Sequence, residues 1–443
     1  MKKVLIIGNG ISGITAARFI RKLSTASITV ISKESDYFFS RTALMYIYMG
    51  HMEYHHTKPY EDWFWKKNKI NLIRGEVQRI DSENKEIFFS GQKFPNSSFN
   101  IAPNSMTYDT LILATGSKSN KFGWPGQELK GVLGLYSLQD LYKLEELSPN
   151  ISSAVIIGGG LIGIELAEML HSRRKEVTML VRETNYWDNV LPKEEAQMVN
   201  QQIRKNGINL KLESELKEIK DDGTGHVNTV ITTDQEIIKC QFVGLTAGVR
   251  PNTDWLKSSG LEINKGILVN EYLETNLPNV FAIGDCAELR SPEKNRKAIE
   301  PIWYTGRIMG ETVAHTICDQ PVKYQPGNWF NSAKFFDLEY QVYGYVPNKI
   351  ESPLKSFLWQ NKNKSKSIRL VYHQNKNAIL GINLMGIRFR HEICDRWLNQ
   401  GLDINAVVNQ IQDAHFDPEF TKKEYNDVKE TFQRSNNTKS ASV

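Results

Sequence analysis

The sequence predicts an α/β chain, and three observations carry that expectation. A short apolar strand, a glycine-rich turn and an amphipathic helix open the chain. Nearly the same unit returns about 150 residues downstream, an internal repeat. After about residue 325 the composition turns aromatic and strand-like, which marks a further, α+β unit.

The elements follow in order. Residues 3–7 (KVLII) form an apolar run closed by Gly8, residues 11–23 carry the helical period, and 28–32 (ITVIS) are β-branched. This is a βαβ unit. Pro59 opens an expected helix over 59–69, in which Trp63 and Trp65 cannot share a face, so only one belongs to the core. Residues 70–81 and 85–89 read as strands, and 110–115 (TLILAT) as a buried one. The stretch 91–107, rich in Asn, Ser and Pro, reads as a surface loop or hairpin tip. The second unit starts at Ala154 (AVIIGGGLIGIELAEMLHSR) and continues with EVTMLVR from Glu176. Strand-rich segments fill 208–248, NVFAIGD (279–285) is another apolar strand, and a helix is expected from about 301 to 317. Beyond it, 328–346, 368–373 and 378–386 read as strands, and about 389–412 and 418–434 as helices. The last ten residues are polar and are expected to be disordered.

Composition narrows the function. The 443 residues are 40% hydrophobic and 24% charged, a globular balance that excludes disorder over most of the chain. Cys240, Cys286, Cys318 and Cys394 show no CxxC spacing, which argues against a zinc knuckle, a thioredoxin-like motif or a secreted disulfide framework. A cytoplasmic setting is expected. A net charge of +5 is a small surplus, and no nucleic-acid partner is expected from it. No apolar run approaches the roughly 20 residues that span a bilayer, so no transmembrane segment is expected. The opening MKKVLII is read as a buried strand rather than a signal peptide, because glycines interrupt the apolar stretch.

The chemistry lies in the turns. Gly8-x-Gly10-x-x-Gly13, with Ser12 inside it, stands between a strand and a helix. Its glycines permit a tight turn, close approach of backbone to a pyrophosphate, and helix–strand packing, while the helix N-terminus faces the phosphates. Glu34 follows about 20 residues on, where a carboxylate can accept ribose hydroxyls. Gly158-x-Gly160-x-x-Gly163, with Ile162, repeats the arrangement. There the ribose-acid position is Val181, followed by Arg182, and an Arg favours a 2′-phosphate, so NADPH is expected over NADH. Glu183 offers the opposite reading. Two such units imply two dinucleotides and electron transfer between them. Asp285, after Gly284, is placed to hydrogen-bond a sugar alcohol, and Ala114-Thr115-Gly116 ends a separate strand.

In this order, with TAGVRPNT (Thr246 to Thr253, containing Gly248), the motifs resemble the FAD-dependent pyridine nucleotide-disulfide oxidoreductase-like family. The likeness is to its ferredoxin, rubredoxin and nitrite reductase members and to apoptosis-inducing-factor-like proteins. It covers residues 1 to about 320, and 330–344 is loosely similar to the third domain of the ferredoxin-reductase branch. The resemblance implies two Rossmann-like domains that bind FAD and NAD(P)H, plus a C-terminal α+β domain. Gly8, Gly10, Gly13 and Glu34 would meet the FAD adenosine, Arg41 the pyrophosphate and Val77 the adenine. Asp285 would meet the ribityl chain or pyrophosphate, and Ile302 and Trp303 the flavin ring. Gly158, Gly160, Gly163 and Glu165 would form the nicotinamide-nucleotide site. Ser12, Ala114, Thr115, Gly116, Ile162, Gly248 and Gly284 are further candidate cofactor contacts.

Two departures matter. Disulfide-reducing members carry cysteine on the helix after the first βαβ unit, and residues 38–52 contain none. Ferredoxin-reductase members place a Lys five residues after the Arg, to pair with the acid of the second motif, and here that residue is Tyr46. Glu165 and Tyr46 are the candidate catalytic residues, with Glu165 left to another partner or to solvent. The aromatic run Tyr37, Phe38, Phe39, Tyr46 and Tyr48 reads either as a flavin-facing surface or as ordinary core. Cys286 reads as buried filler. His51, Glu53, His55 and His56 lack a metal-site geometry, and no metal is expected. The basic stretch 349–376, from Lys349 to Lys376 with no acid after Glu351, reads as a solvated loop or as a docking face for an acidic carrier.

The expected domains are residues 1–115 with 246–325 for FAD, 116–245 for NAD(P), and 326–443 as a flavin cap or homodimer interface. The expected function is transfer of a hydride from NAD(P)H to flavin, and then of electrons to a carrier protein or small acceptor. The alternative is a nucleotide-responsive flavoprotein of the apoptosis-inducing-factor kind. A quinone reductase at a membrane surface is disfavoured, because 418–434 has too few apolar residues to insert.

Overall fold

A computed structural model describes residues 1–91, 104–416 and 424–440. The opening βαβ unit is a strand at Lys3–Ile7, a helix at Ile11–Leu23 and a strand at Ser27–Ser32, with the two strands parallel. The buried faces of all three are aliphatic, and their side chains enter one core with Leu111, Ile112 and Ala282. Burial of such side chains stabilises by roughly 1.5–3 kcal/mol each. The parallel part of this sheet runs in the order Val280–Ala282, Thr110–Leu113, Lys3–Ile7, Ser27–Ser32, Ile70–Asp81. The strand at 280–282 thus closes a sheet begun more than 250 residues earlier. Ile70–Asp81 then turns into an antiparallel ribbon with Glu86–Gly91 and Ser105–Thr107.

The repeat unit builds a second, fully parallel sheet. Its order is Asn209–Leu212, Glu176–Val181, Ser153–Ile157, Phe242–Leu245, Val132–Leu133. Strands from 216 to 239 form a small antiparallel sheet beside it. The C-terminal region is a five-stranded antiparallel sheet backed by helices. Phe335, Leu338, Tyr340 and Met385 from that sheet share one apolar core with Leu166, Val181 and Val199 of the repeat unit. Among the described residues no helix is long and apolar enough to cross a membrane.

Several expectations are corrected. The helix expected over 59–69 is only Trp63–Lys67: the segment before it is tied by Lys58 to the Asp62 carboxylate at 2.6 Å, and Lys69 ends it by taking a left-handed φ of +50°. Trp65 is buried and Trp63 exposed. Within 91–107, Ser105–Thr107 is a strand, while 92–103 lie outside the described residues. The helix expected over 389–412 is broken at Gly401, which takes a left-handed turn (φ +55°), and it restarts at Ile404 with Asp403 as cap. The last helix is Tyr425–Ser440, so the backbone stays helical past 434 instead of fraying there. Residues 417–423 and 441–443 lie outside the described residues. The basic stretch is neither a loop nor one continuous charged face. Leu354–Gln360 and Ser367–His373 are paired strands, and Arg369 is buried.

Candidate functional site

Each glycine turn joins a strand to a helix whose N-cap is the motif's second glycine. The three glycines of a turn do different work. Gly8 holds φ +112°, and a Cβ there would overlap the Ala114 carbonyl, while one at Gly13 would overlap the Gly8 carbonyl. At Gly10 a Cβ would meet nothing within 4 Å. The repeat shows the same division. A Cβ on Gly158 (φ +120°) would stand 2.7 Å from the Thr246 carbonyl oxygen, and one on Gly163 would stand 2.8 Å from that of Gly158. Gly160 again faces open space. Two positions are therefore glycine because backbone crowds them, and the third leaves a bare face beside unpaired helix N–H groups. A pyrophosphate fits that face at both turns.

Around the first turn the candidate residues converge. Arg41 Nη1 donates to Glu34 Oε1 at 2.7 Å, and the backbone N–H of Leu138 donates to the same oxygen at 2.9 Å. Both Glu34 oxygens bind Arg41, so this carboxylate first fixes the guanidinium. The guanidinium sits 4.5 Å over the Tyr136 ring and donates to the Tyr136 carbonyl. The Tyr136 hydroxyl accepts from the Ser117 N–H at 2.8 Å and donates to Asp285 Oδ2 at 3.3 Å. Ser117 Oγ donates to the same Asp285 oxygen at 3.1 Å. Burial pushes the Asp285 carboxyl above its ordinary value, against the hydrogen bond from Ser117. Tyr136 thus links Arg41 to Asp285, and sequence reading missed it. The only local signal was the Ser137–Asp140 capping box that starts the next helix.

The other candidates fall around this centre. Ser12 is buried where Gly284 and Gly306 leave room for its hydroxyl. Gly116 (φ +66°) and Gly248 (φ +84°) both take left-handed turns, and the Gly248 carbonyl accepts from Asn120 N–H at 3.1 Å. Thr115 Oγ1 donates to the Asn252 carbonyl, and Ala114 is the oxygen packed on Gly8. Ile302 caps the helix Trp303–Ile317, and the Trp303 ring lies 6.0 Å from that of Phe38. Val77 is buried in its strand. In the repeat unit Val181 is buried, and Arg182 is 70% exposed with its guanidinium on Glu183 at 2.8 Å.

Glu165 and Tyr46 are not a pair. The short helix Leu44–Tyr48 packs on the helix Leu161–Ser172, but Tyr46 stacks on His51, with ring centroids 6.1 Å apart. Glu165 is half-buried and has no hydrogen-bond or ion-pair partner among the described residues, so it is neither repaired by a new cation nor freely solvated. Burial, with neighbouring Glu168, pushes its carboxyl up to about 7. Phe38, Phe39 and Tyr48 are core side chains, and Tyr37 and Tyr46 are half-buried beside them. Cys286 is buried, its thiol turned to the Leu113 and Ile283 carbonyls. His56 Nδ1 accepts from the Glu53 N–H and His55 pairs with the Glu53 carboxylate, so these side chains cap a turn.

Comparison with known proteins agrees with this geometry. A family model described as pyridine nucleotide-disulphide oxidoreductase matches residues 2–310. A nitrite reductase [NAD(P)H] of Bacillus subtilis is 30% identical over 293 residues, which are 65% of this chain and 35% of that protein. The chain likewise spans 40% of an assimilatory nitrate reductase electron transfer subunit from the same organism, at 25% identity over 323 residues (72% of this chain). The chain therefore covers well under half the length of these two relatives. An NADH oxidase of Methanocaldococcus jannaschii is 30% identical over 353 residues, 76% of this chain and 75% of that one. In structure, a ferredoxin reductase from Rhodopseudomonas palustris superposes with TM-score 0.77 at 22% identity, covering 87% of this chain and 91% of that one, a likeness of fold.

Proposed function

The chain belongs to the pyridine nucleotide-disulphide oxidoreductase family, and from that premise we propose that it is an NAD(P)H:acceptor oxidoreductase working through FAD. FAD and NAD(P)H are the cofactors that the family supports. The observation that carries the reading is the pair of glycine turns, each with its middle glycine open. The two sheets suggest residues 1–115 with 246–325 as the FAD domain, 116–245 as the NAD(P) domain and 326–443 as the third.

In this reading the first turn and Arg41 bind the FAD pyrophosphate, and Glu34 orients Arg41. Asp285 keeps one carboxylate oxygen for a sugar hydroxyl while Ser117 and Tyr136 hold the other. Bound flavin supplies hydride acceptance from nicotinamide and release of electrons to an acceptor. Glu165 holds or yields a proton near neutral pH beside the second turn. With no cysteine in 38–52 and Cys286 buried, no thiol stands on the helix after the first βαβ unit to relay the electrons. The acceptor is then a ferredoxin- or rubredoxin-like carrier, as the resemblance of the motifs implies, or a small molecule. The relatives are named as reductases and oxidases, which favours turnover over a signalling role. Exposed Arg182 supports NADPH as the donor. Anaerobic mixing with NADH and NADPH, followed by a panel of acceptors, tests this: the yellow protein should bleach, and no bleaching with either nucleotide rejects it.

A further inference from the structure

The C-terminal sheet reaches the second glycine turn through one side chain. Trp187 lies in the loop after the strand Glu176–Val181, and its backbone is left-handed, with φ +59°. A bulky residue seldom adopts that conformation, and it persists only where the surroundings over-determine it. Here both sides do. The Trp187 ring sits 5.6 Å from Phe335 and 5.3 Å from Tyr340, the latter nearly edge-on at 74°. Both partners are buried in neighbouring strands of the C-terminal sheet. On the other side, Tyr186 is buried and its hydroxyl donates to the Gly160 carbonyl at 2.6 Å. Its own N–H is held by Asn200 Oδ1 at 2.8 Å. A Cβ built on Gly159 would stand 3.7 Å from the Trp187 nitrogen, so the loop lies against the turn itself. Asn348, just past the strand Leu338–Gly344 of the C-terminal sheet, ties the same loop by donating to the Asp188 carbonyl at 2.8 Å.

We propose that Tyr186 and Trp187 form a strut through which the C-terminal sheet holds the second glycine turn in its nucleotide-accepting shape. The proposal rests on the reading above that this turn takes the nicotinamide nucleotide. Its chemistry is simple. In a trans peptide the C=O and N–H point in opposite directions. The Tyr186 hydroxyl joins the Gly163 and Ile164 N–H groups, at 3.0 and 3.3 Å, on the Gly160 carbonyl, and by anchoring that oxygen from outside the helix it helps to aim the Leu161 N–H away from the anchor. Gly160 has no side chain to screen the donor. Tyr186 and Trp187 are positioning residues, and the C-terminal unit becomes part of the nucleotide site without touching the nucleotide.

The test uses the flavin-loaded protein with NAD⁺ and NADP⁺ as probes for binding, and the preferred reduced nucleotide for kinetics. Tyr186→Phe should weaken the dinucleotide about fivefold, the worth of one hydrogen bond, and raise KM alike. Its kcat and flavin content should stay put, and its melting temperature should fall by no more than the few degrees that one buried hydrogen bond is worth. Tyr340→Leu, remote from the turn, should weaken binding in the same direction. The double variant should be no weaker than the worse single, because both break one strut. Trp187→Phe should keep most of the affinity. Unchanged affinity in both single variants, additive losses, or losses that track melting temperature would overturn the strut. If the unaltered protein binds neither dinucleotide, the functional reading falls and takes the strut with it.

Discussion

Arg369 donates to both oxygens of Glu195, Nε to Oε1 at 2.7 Å and Nη2 to Oε2 at 2.9 Å, and the two side chains are 6% and 0% exposed. The pair joins a C-terminal strand to the first turn of the helix Lys193–Lys205, across 174 residues of sequence. Ser356 Oγ and Glu194 Oε2 take two further guanidinium contacts, at 3.0 and 2.6 Å. The fork geometry pairs both carboxylate oxygens with the guanidinium, while burial pushes the Glu195 carboxyl above its ordinary value against that pairing.

Removing one member strands the other. Arg369→Ala should lose about 3–5 kcal/mol of stability, because it leaves a buried carboxylate unpaired. Replacing the pair together, Arg369→Leu with Glu195→Leu, should recover most of that loss. Urea unfolding of the three proteins decides the matter. A single variant as stable as the parent would show that the pair holds nothing.

The two kinds of glycine should separate binding from folding. Gly160→Ala places a methyl in open space at an ordinary backbone angle (φ −111°), so stability should shift by no more than about 0.5 kcal/mol. Dinucleotide affinity should still fall at least about tenfold, because the methyl blocks close approach of the pyrophosphate. Gly163→Ala meets the Gly158 carbonyl and should instead lower melting temperature sharply. Calorimetric titration beside thermal melts reads both. Equal melting losses for the two variants would refute the division of roles.

What the sequence made legible was local. The glycine turns, their flanking strands and the helix Ile11–Leu23 depend on spacing within one unit, and the structure places them where the pattern does. What escaped depends on partners far along the chain. Arg369 looked like one more charge in a basic stretch, because nothing nearby announces Glu195. Leu354–Gln360 was hidden among lysines, since an edge strand with one solvated face tolerates them. Tyr136 carries no motif, yet it joins Arg41 to Asp285. Trp187 shows its role only through a backbone angle and two rings from another sheet.

Glu165 should make stability depend on pH in a definite direction. Burial raises its folded-state value to about 7, above the roughly 4.3 of an exposed glutamate. Between these values the folded chain holds a proton that the unfolded chain has released, so stability falls as pH rises through the window. Glu165→Gln removes that dependence. The variant should match the parent near pH 4, below the unfolded value, and melt higher than the parent at about pH 8. A difference that stays constant across this range would show that the carboxyl does not titrate there.

Arg182 offers the sharpest test of donor choice. Its guanidinium is 70% exposed and its hydrogen bond to Glu183 at 2.8 Å is a surface pair, which contributes little to stability and is easily exchanged for a phosphate. Buried Val181 offers no carboxylate to a free 2′-hydroxyl, which leaves Glu183 as the nearby acid. Arg182→Ala should therefore raise KM for NADPH about tenfold, the loss of a charge-assisted contact, and leave KM for NADH within about twofold. Glu183→Gln should act in the opposite sense, because it frees the guanidinium for a 2′-phosphate and removes an acceptor from ribose. Stopped-flow reduction of the flavin by each nucleotide measures both. Faster reduction of the unaltered protein by NADH, with Arg182→Ala indifferent, would assign the ribose to Glu183 and make NADH the donor.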